Sequence, residues 1–177
     1  PQTLTGIIQT ALPPDHVFNR VLDLGCGTGL FAAAVRAVYP NAVLVGVDLS
    51  QRMVTAASAR GLYAHVQKSE AGAYLDQTAE TFDLIAATDV FIYVGDVSGL
   101  VALARKKLTP GGVLAFTVET TDAPDFVLQT SGRYAHNTTS LRALAARSGF
   151  TVLAEREAPL RRHAGAVEEG LYMVWRI

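Results

Sequence analysis

Gly25, Gly27 and Gly29, three glycines in five positions, follow directly on the apolar run Val-Leu-Asp-Leu at 21–24. No other stretch of the 177 residues restricts the fold so strongly. The apolar run reads as a buried strand, and the glycines let the backbone turn tightly at its end and approach a ligand closely. Residues 30–38 are apolar all round and rich in alanine, which predicts a buried helix right after the turn. The first N–H groups of such a helix have no partners within it, so an anionic or polar ligand group suits them.

The same rhythm continues. Residues 43–47 read as a second strand, and Ser50 is placed to N-cap a helix to about residue 60, with Gly61 ending it. Residues 62–66 and 82–87 read as the third and fourth strands. A helix over 97–108 closes at Thr-Pro-Gly-Gly, 109–112, and a fifth strand follows at 113–118. This alternation predicts βαβ units and a parallel sheet covered on both faces. After Glu119 the pattern breaks. Residues 120–137 are polar and irregular, a candidate functional loop. Thr139 is placed to cap a helix over 140–148, stopped by Gly149. Two final strands, 150–155 and 171–177, pair antiparallel for want of a helix between them. Their connector, 156–170, carries Arg161, Arg162, Glu168 and Glu169 as a charged surface. The length fits a single domain, 1–177.

Composition removes several classes of function. Lys plus Arg is 15 and Asp plus Glu is 16, a net charge of −1, so there is no basic excess for nucleic acid. Half the residues are hydrophobic, enough for a full core. No apolar run has membrane-spanning length, so no membrane partner is expected. One cysteine rules out a disulfide framework and fits a reducing, cytoplasmic setting, as does the lack of a basic-then-apolar leader. His16, His65, His136 and His163 show no ligand spacing, so no metal site is expected.

Asp48 closes the second strand, 23 positions after Gly25. An acidic residue there is placed to accept hydrogen bonds from ribose hydroxyls. The dinucleotide pattern Gly-x-Gly-x-x-Gly nevertheless fails. Its third glycine would fall at Leu30 in one register and Ala32 in the other. What remains is Gly-x-Gly-x-Gly preceded by Asp23, a carboxylate suited to a ligand with a cationic amino group, such as the methionine part of S-adenosylmethionine.

Residues 21–29, Val-Leu-Asp-Leu-Gly-Cys-Gly-Thr-Gly, resemble motif I of class I S-adenosylmethionine-dependent methyltransferases. Val-Gly-Val-Asp-Leu-Ser at 45–50 resembles motif II, 82–90 the motif IV strand, and Leu-Thr-Pro-Gly-Gly-Val-Leu at 108–114 the turn before strand five. Residues 89–93, 116–119 and 131–136 are similar to a group of bacterial predicted methyltransferases, some fused to tetratricopeptide repeats. The resemblance implies a Rossmann-like, doubly wound α/β sheet of seven strands in the order 3-2-1-4-5-7-6, strand seven antiparallel. It also implies N-terminal helices that lid the cofactor. Only residues 3–12 are available for this, so part of the lid is expected to be missing.

The resemblance further implies a set of site residues. The cofactor's amino-acid part would lie against Asp23, Gly25, Cys26, Gly27, Thr28 and Gly29, and its ribose on Asp48. Leu49 and Met53 would flank the adenine, and Ser69, Glu70 and Ala71 would meet its polar edge. Thr88, Asp89 and Val90 would stand beside the transferred methyl, with Tyr93 and Glu119 near it. Arg133, Tyr134 and His136 would hold an acidic or polar acceptor. Each also has a structural reading: Glu70 as a helix-start acid, Asp89 as a cap, Tyr93 as core, Arg133 as a loop tether and His136 as a loop histidine. No catalytic residue is assigned, since a base is needed only for a protonated, poorly nucleophilic acceptor. The expected function is methyl transfer to O, N or C of a small molecule by in-line displacement, with S-adenosylhomocysteine as product. A binding module without turnover and an NAD-linked oxidoreductase remain as alternatives.

Overall fold

The first apolar run forms β1 (Arg20–Leu24), flanked in the sheet by β2 (Val43–Asp48) and β4 (Phe82–Ala87), both parallel to it. Their register sets Leu24 level with Val47 and Ala87, so the three strands end together. Beyond β2 lies β3 (His65–Lys68), and beyond β4 lies β5 (Leu108–Thr120), again parallel. This computed structural model describes residues 1–163 and 166–177. The side chains of 161–163, 166 and 167 lie outside the described residues, and with them the surface reading of Arg161 and Arg162 and the histidine at 163.

A long hairpin, β8 (Thr151–His163) and β9 (Ala166–Arg176), completes the main sheet. Within it, β9 runs antiparallel against residues 113–118 of β5. The order is thus β3-β2-β1-β4-β5-β9-β8, the predicted seven-strand order with β9 as the antiparallel member. Side chains alternate between two packed layers, as the pleat requires. Leu22, Leu24, Ile85, Phe116 and Trp175 face α4 (Ala71–Gln77), α5 (Ser98–Lys107) and α6 (Thr138–Arg147). Val21, Leu84, Ala115 and Tyr172 face α1 (Gln2–Ala11) and α2 (Leu30–Val38). The helix α3 (Gln51–Ser58) packs beside β2 and β3.

Several expectations need correction. α2 buries Phe31, Ala32 and Val35 but leaves Leu30 55% exposed, so it is one-sided rather than apolar-buried all round. Ser50 does not cap α3 with its side chain. Asp48 Oδ1 accepts the Ser50 N–H instead, at 2.8 Å. The third strand lies three residues late, because Leu62 and Tyr63 turn inward to pack on the α1–α2 layer. Thr-Pro-Gly-Gly, 109–112, is an irregularity inside β5, between the Phe82–Leu108 and Leu84–Val113 pairs, and not a separate turn. The supposed loop 120–137 contains a small hairpin, β6 (Phe126–Leu128) and β7 (Tyr134–His136). β7 pairs in parallel with Glu119 and Thr120 at the end of β5. α6 is capped by Asn137, whose Oδ1 accepts the Ser140 N–H at 3.1 Å, not by Thr139. Most of the expected connector 156–170 is strand, since a two-stranded ribbon tolerates charged residues on its open face.

Candidate functional site

The glycine turn sits where β1, β2 and β4 end together, the edge at which open α/β sheets bind ligands. Gly25 has φ +65°, and a Cβ there would run into the Val90 side chain. Gly27 has φ +52°, and its missing Cβ faces open space. Asp48 holds this turn from β2: its Oδ2 accepts the Gly27 N–H at 2.9 Å. Each Asp48 oxygen therefore has one backbone donor and keeps a second acceptor position.

Two hollows flank the turn and meet at Gly25 and Asp89, which line both. The first, about 440 Å³, is walled by Val47, Leu49, Val90 and Val94, with Asp48, Glu70 and the shared Asp89 as its acids. Ser69, Ala71 and Tyr93 complete it. Glu70 also caps α4, its Oε2 accepting the Ala73 N–H at 2.8 Å. Met53 is partly buried on α3 and does not line either hollow. The second hollow, about 370 Å³, is bordered by Cys26, Thr28, Thr88 and Thr117. Burial pushes the Cys26 thiol up to about 12, with the Asp23 and Asp48 charges adding to it, so this cysteine stays protonated and unreactive.

Asp23 stands behind the turn rather than in the cleft. It is fully buried, and its Oδ2 accepts the Tyr63 hydroxyl at 2.6 Å. Its Oδ1 has no hydrogen-bond partner among the described residues. Burial raises its pKa to about 7; the Tyr63 hydrogen bond opposes that rise and the Asp48 charge adds to it. Tyr63 also packs against Gly29 and Gly46, and Arg60 Nε donates to the Thr28 carbonyl. The segment between α3 and β3 thus braces the glycine turn from below.

At the end of β4, Asp89 adopts φ +57°, and its N–H donates to Thr117 Oγ1 at 3.0 Å. Tyr93 is 65% exposed on the cleft wall, not core. The remaining loop candidates lie outside both hollows. Glu119, on the same strand face as Thr117, is buried and lies 3.9 Å from Arg133 Nη1. That nitrogen also reaches Glu168, at 3.4 Å. Tyr134 stacks edge-on to Phe126. His136 is buried, its Nε2 within 2.9 Å of the Val94 carbonyl and 3.1 Å of that of Gly95. Two carbonyls there require Nε2 to carry the proton, and burial lowers the ring's pKa, so His136 is a neutral tether of the β6–β7 hairpin. The expectation that it meets an acceptor does not fit this placement.

Sequence reasoning missed Tyr63, Arg60, Thr117, Leu160 and Tyr172. Tyr63 and Arg60 act from the segment between α3 and β3, while Thr117 on β5 and Leu160 and Tyr172 on the long hairpin line the second hollow; no spacing marks any of them. Among the described residues no three His, Cys, Asp or Glu side chains gather to hold a metal, and no helix is long and apolar enough to cross a membrane.

The sequence model of a family described as methyltransferase domain matches residues 1–155. A trans-aconitate 2-methyltransferase of Deinococcus radiodurans is 34% identical over 108 residues, 61% of this chain and 41% of that protein. One from Azoarcus sp. is 35% identical over 128 residues, 71% of this chain and 50% of that protein. The chain therefore spans half or less of the length of these relatives. In structure, the N-methyltransferase NodS of Bradyrhizobium japonicum, solved with S-adenosylhomocysteine, superposes with a TM-score of 0.73 at 20% identity, covering 99% of this chain and 85% of that one. The 1,6-didemethyltoxoflavin-N1-methyltransferase of Burkholderia thailandensis gives 0.75 at 19% identity, covering 98% and 76%. The shared architecture is the class I methyltransferase fold.

Proposed function

Because the chain belongs to the methyltransferase-domain family, we propose that it binds S-adenosylmethionine across the glycine turn and transfers the methyl group to a small-molecule acceptor. One observation carries this reading: two hollows meet at Gly25 and Asp89, with Asp48 holding the turn between β1 and β2. The residues fit the cofactor. The space over Gly27, which a Cβ would fill, admits close approach of a ligand, and the open acceptor positions of Asp48 suit a ribose diol. The walls formed by Val47, Leu49, Val90 and Val94 suit an adenine ring. When bound, the sulfonium supplies an electrophilic methyl group and leaves as S-adenosylhomocysteine.

The chain's own contribution is positional. Asp48 fixes the turn, and the apolar walls exclude water from a site where charge is lost during reaction. Holding two reactants in line is worth up to ~7–11 kcal/mol in favourable cases. The names of the trans-aconitate methyltransferase relatives, which specify a small acceptor, support the small-molecule part of the reading.

Calorimetry with S-adenosylhomocysteine and a labelled-methyl transfer screen test the proposal. Micromolar or tighter binding, weakened at least tenfold by Asp48→Ala, is the expected result. Stabilisation of the protein by NAD but not by S-adenosylhomocysteine would overturn it. Binding without transfer to any pool would reduce it to a cofactor-binding module.

A further inference from the structure

We infer that Tyr63 is a positioning residue of the cofactor site and that, by holding Asp23 behind the glycine turn, it links cofactor binding to the release of a proton. The inference rests on the methyltransferase reading and adds to it a dependence on pH. Asp23 lies on β1, just ahead of Gly25, and is fully buried. Only Oδ2 is bonded, accepting the Tyr63 hydroxyl at 2.6 Å, while Oδ1 has no hydrogen-bond partner among the described residues. A buried carboxylate held by a single neutral donor is costly to ionise. The unliganded site therefore keeps a proton on Asp23 up to about pH 7.

Tyr63 is itself held by the turn it supports. Its ring lies over Gly29 and Gly46, where a Cβ on either glycine would crowd it. Arg60 donates to the Thr28 carbonyl and ties the same segment to the turn. Burial, and after it the Asp23 charge, hold the Tyr63 hydroxyl far above its ordinary pKa, so it remains a donor. The groups around the pair come from each neighbouring element. Asp48 on β2 pushes the Asp23 pKa up, and the Pro1 amino group at the start of α1 pulls it down. β4 sets the apolar Ala86 level with Asp23. Arg60 acts on Tyr63, and the Cys26 thiol of the turn stays neutral beside Asp23.

The Pro1 amino group shows how a bound cation acts on this pair. It lines the second hollow, and its positive charge favours the ionised form of Asp23. The ammonium of a cofactor laid against the same turn exerts the same pull. Binding then converts the Asp23 acid to its carboxylate, the ligand keeps its ammonium, and the proton passes to solvent. Tyr63 sets where on the pH scale this happens, because its hydroxyl favours the carboxylate over the acid.

Calorimetric titration of the whole chain with S-adenosylhomocysteine tests this. At about pH 6, in buffers of different ionisation enthalpy, the wild-type chain is expected to release most of one proton, and at about pH 8.5 almost none. Its affinity is expected to rise about tenfold between pH 5.5 and pH 8. Asp23→Asn, which keeps the shape of the side chain, is expected to abolish the release and flatten the profile. Tyr63→Phe, which keeps the ring over Gly29 and Gly46, is expected to move the rise about one pH unit higher. A Tyr63 that only supported the fold would weaken binding equally at every pH. The wild-type proton count needs no variant and decides the linkage even where a substitution unfolds the chain. Heats independent of buffer at pH 6, a pH slope that survives Asp23→Asn, or an equal loss at every pH in Tyr63→Phe would overturn the inference. Failure of the wild-type chain to bind S-adenosylhomocysteine at any pH would instead remove the methyltransferase reading beneath it.

Discussion

Asp23 sits in the sheet with one oxygen on the Tyr63 hydroxyl and a pKa raised by burial to about 7. Between pH 4 and pH 7 the folded chain keeps a proton that the unfolded chain has lost. Stability from this group is therefore full below pH 4, falls as pH rises to about 7, and is flat beyond. Urea unfolding at pH 5 and pH 7.5 checks this: Asp23→Asn is expected to gain about 2–3 kcal/mol relative to wild type over that interval. Tyr63→Phe, which removes the bond favouring the charged form, extends the falling region to higher pH. The two residues differ in how far the sequence reveals them. Asp23 precedes a glycine motif and was legible. Tyr63 was read as part of a strand, because its partner lies 40 positions away and nothing local marks the contact.

Elements were legible where apolar runs met glycine punctuation. α2 and β4 have their predicted bounds, because each begins or ends at a sharp break in hydrophobicity. Polar elements were not. β3 is an edge strand with no fully buried residue, so it carries no apolar period to read. β6 and β7 owe their pairing to the free edge of β5 beyond residue 118, which only the assembled sheet reveals. His136 and Asn137 fasten this hairpin and start the following helix. The Asn137 side chain accepts from Ser140 and donates to the Thr121 carbonyl at 3.3 Å. Asn137→Ala is expected to cost about 1 kcal/mol, read as a lower urea midpoint with unchanged slope.

In the whole molecule, the two helical layers meet the sheet through separate cores. Phe116 is central to one of them, with ring centroids 4.7 Å from both Phe91 and Trp175. It thereby joins the turn after β4, which borders the cleft, to β5 and β9. Phe116→Ala is expected to cost about 3–5 kcal/mol in urea unfolding. The alternation of strand and helix patterns made a parallel α/β sheet legible, and the strand order followed from the resemblance of its motifs to class I methyltransferases. The site was only partly so. Its floor comes from one motif, while Thr117, Leu160 and Tyr172 are brought in by β5 and the terminal hairpin.

β9 is wedged between β5 and β8 although it follows both of them in the chain. While a ribosome is still making residues 166–176, the nascent parallel half waits with the flank of β5 uncovered. That flank includes the apolar residues Leu114, Phe116 and Val118, so the newborn chain depends on chaperone cover until β9 slots in.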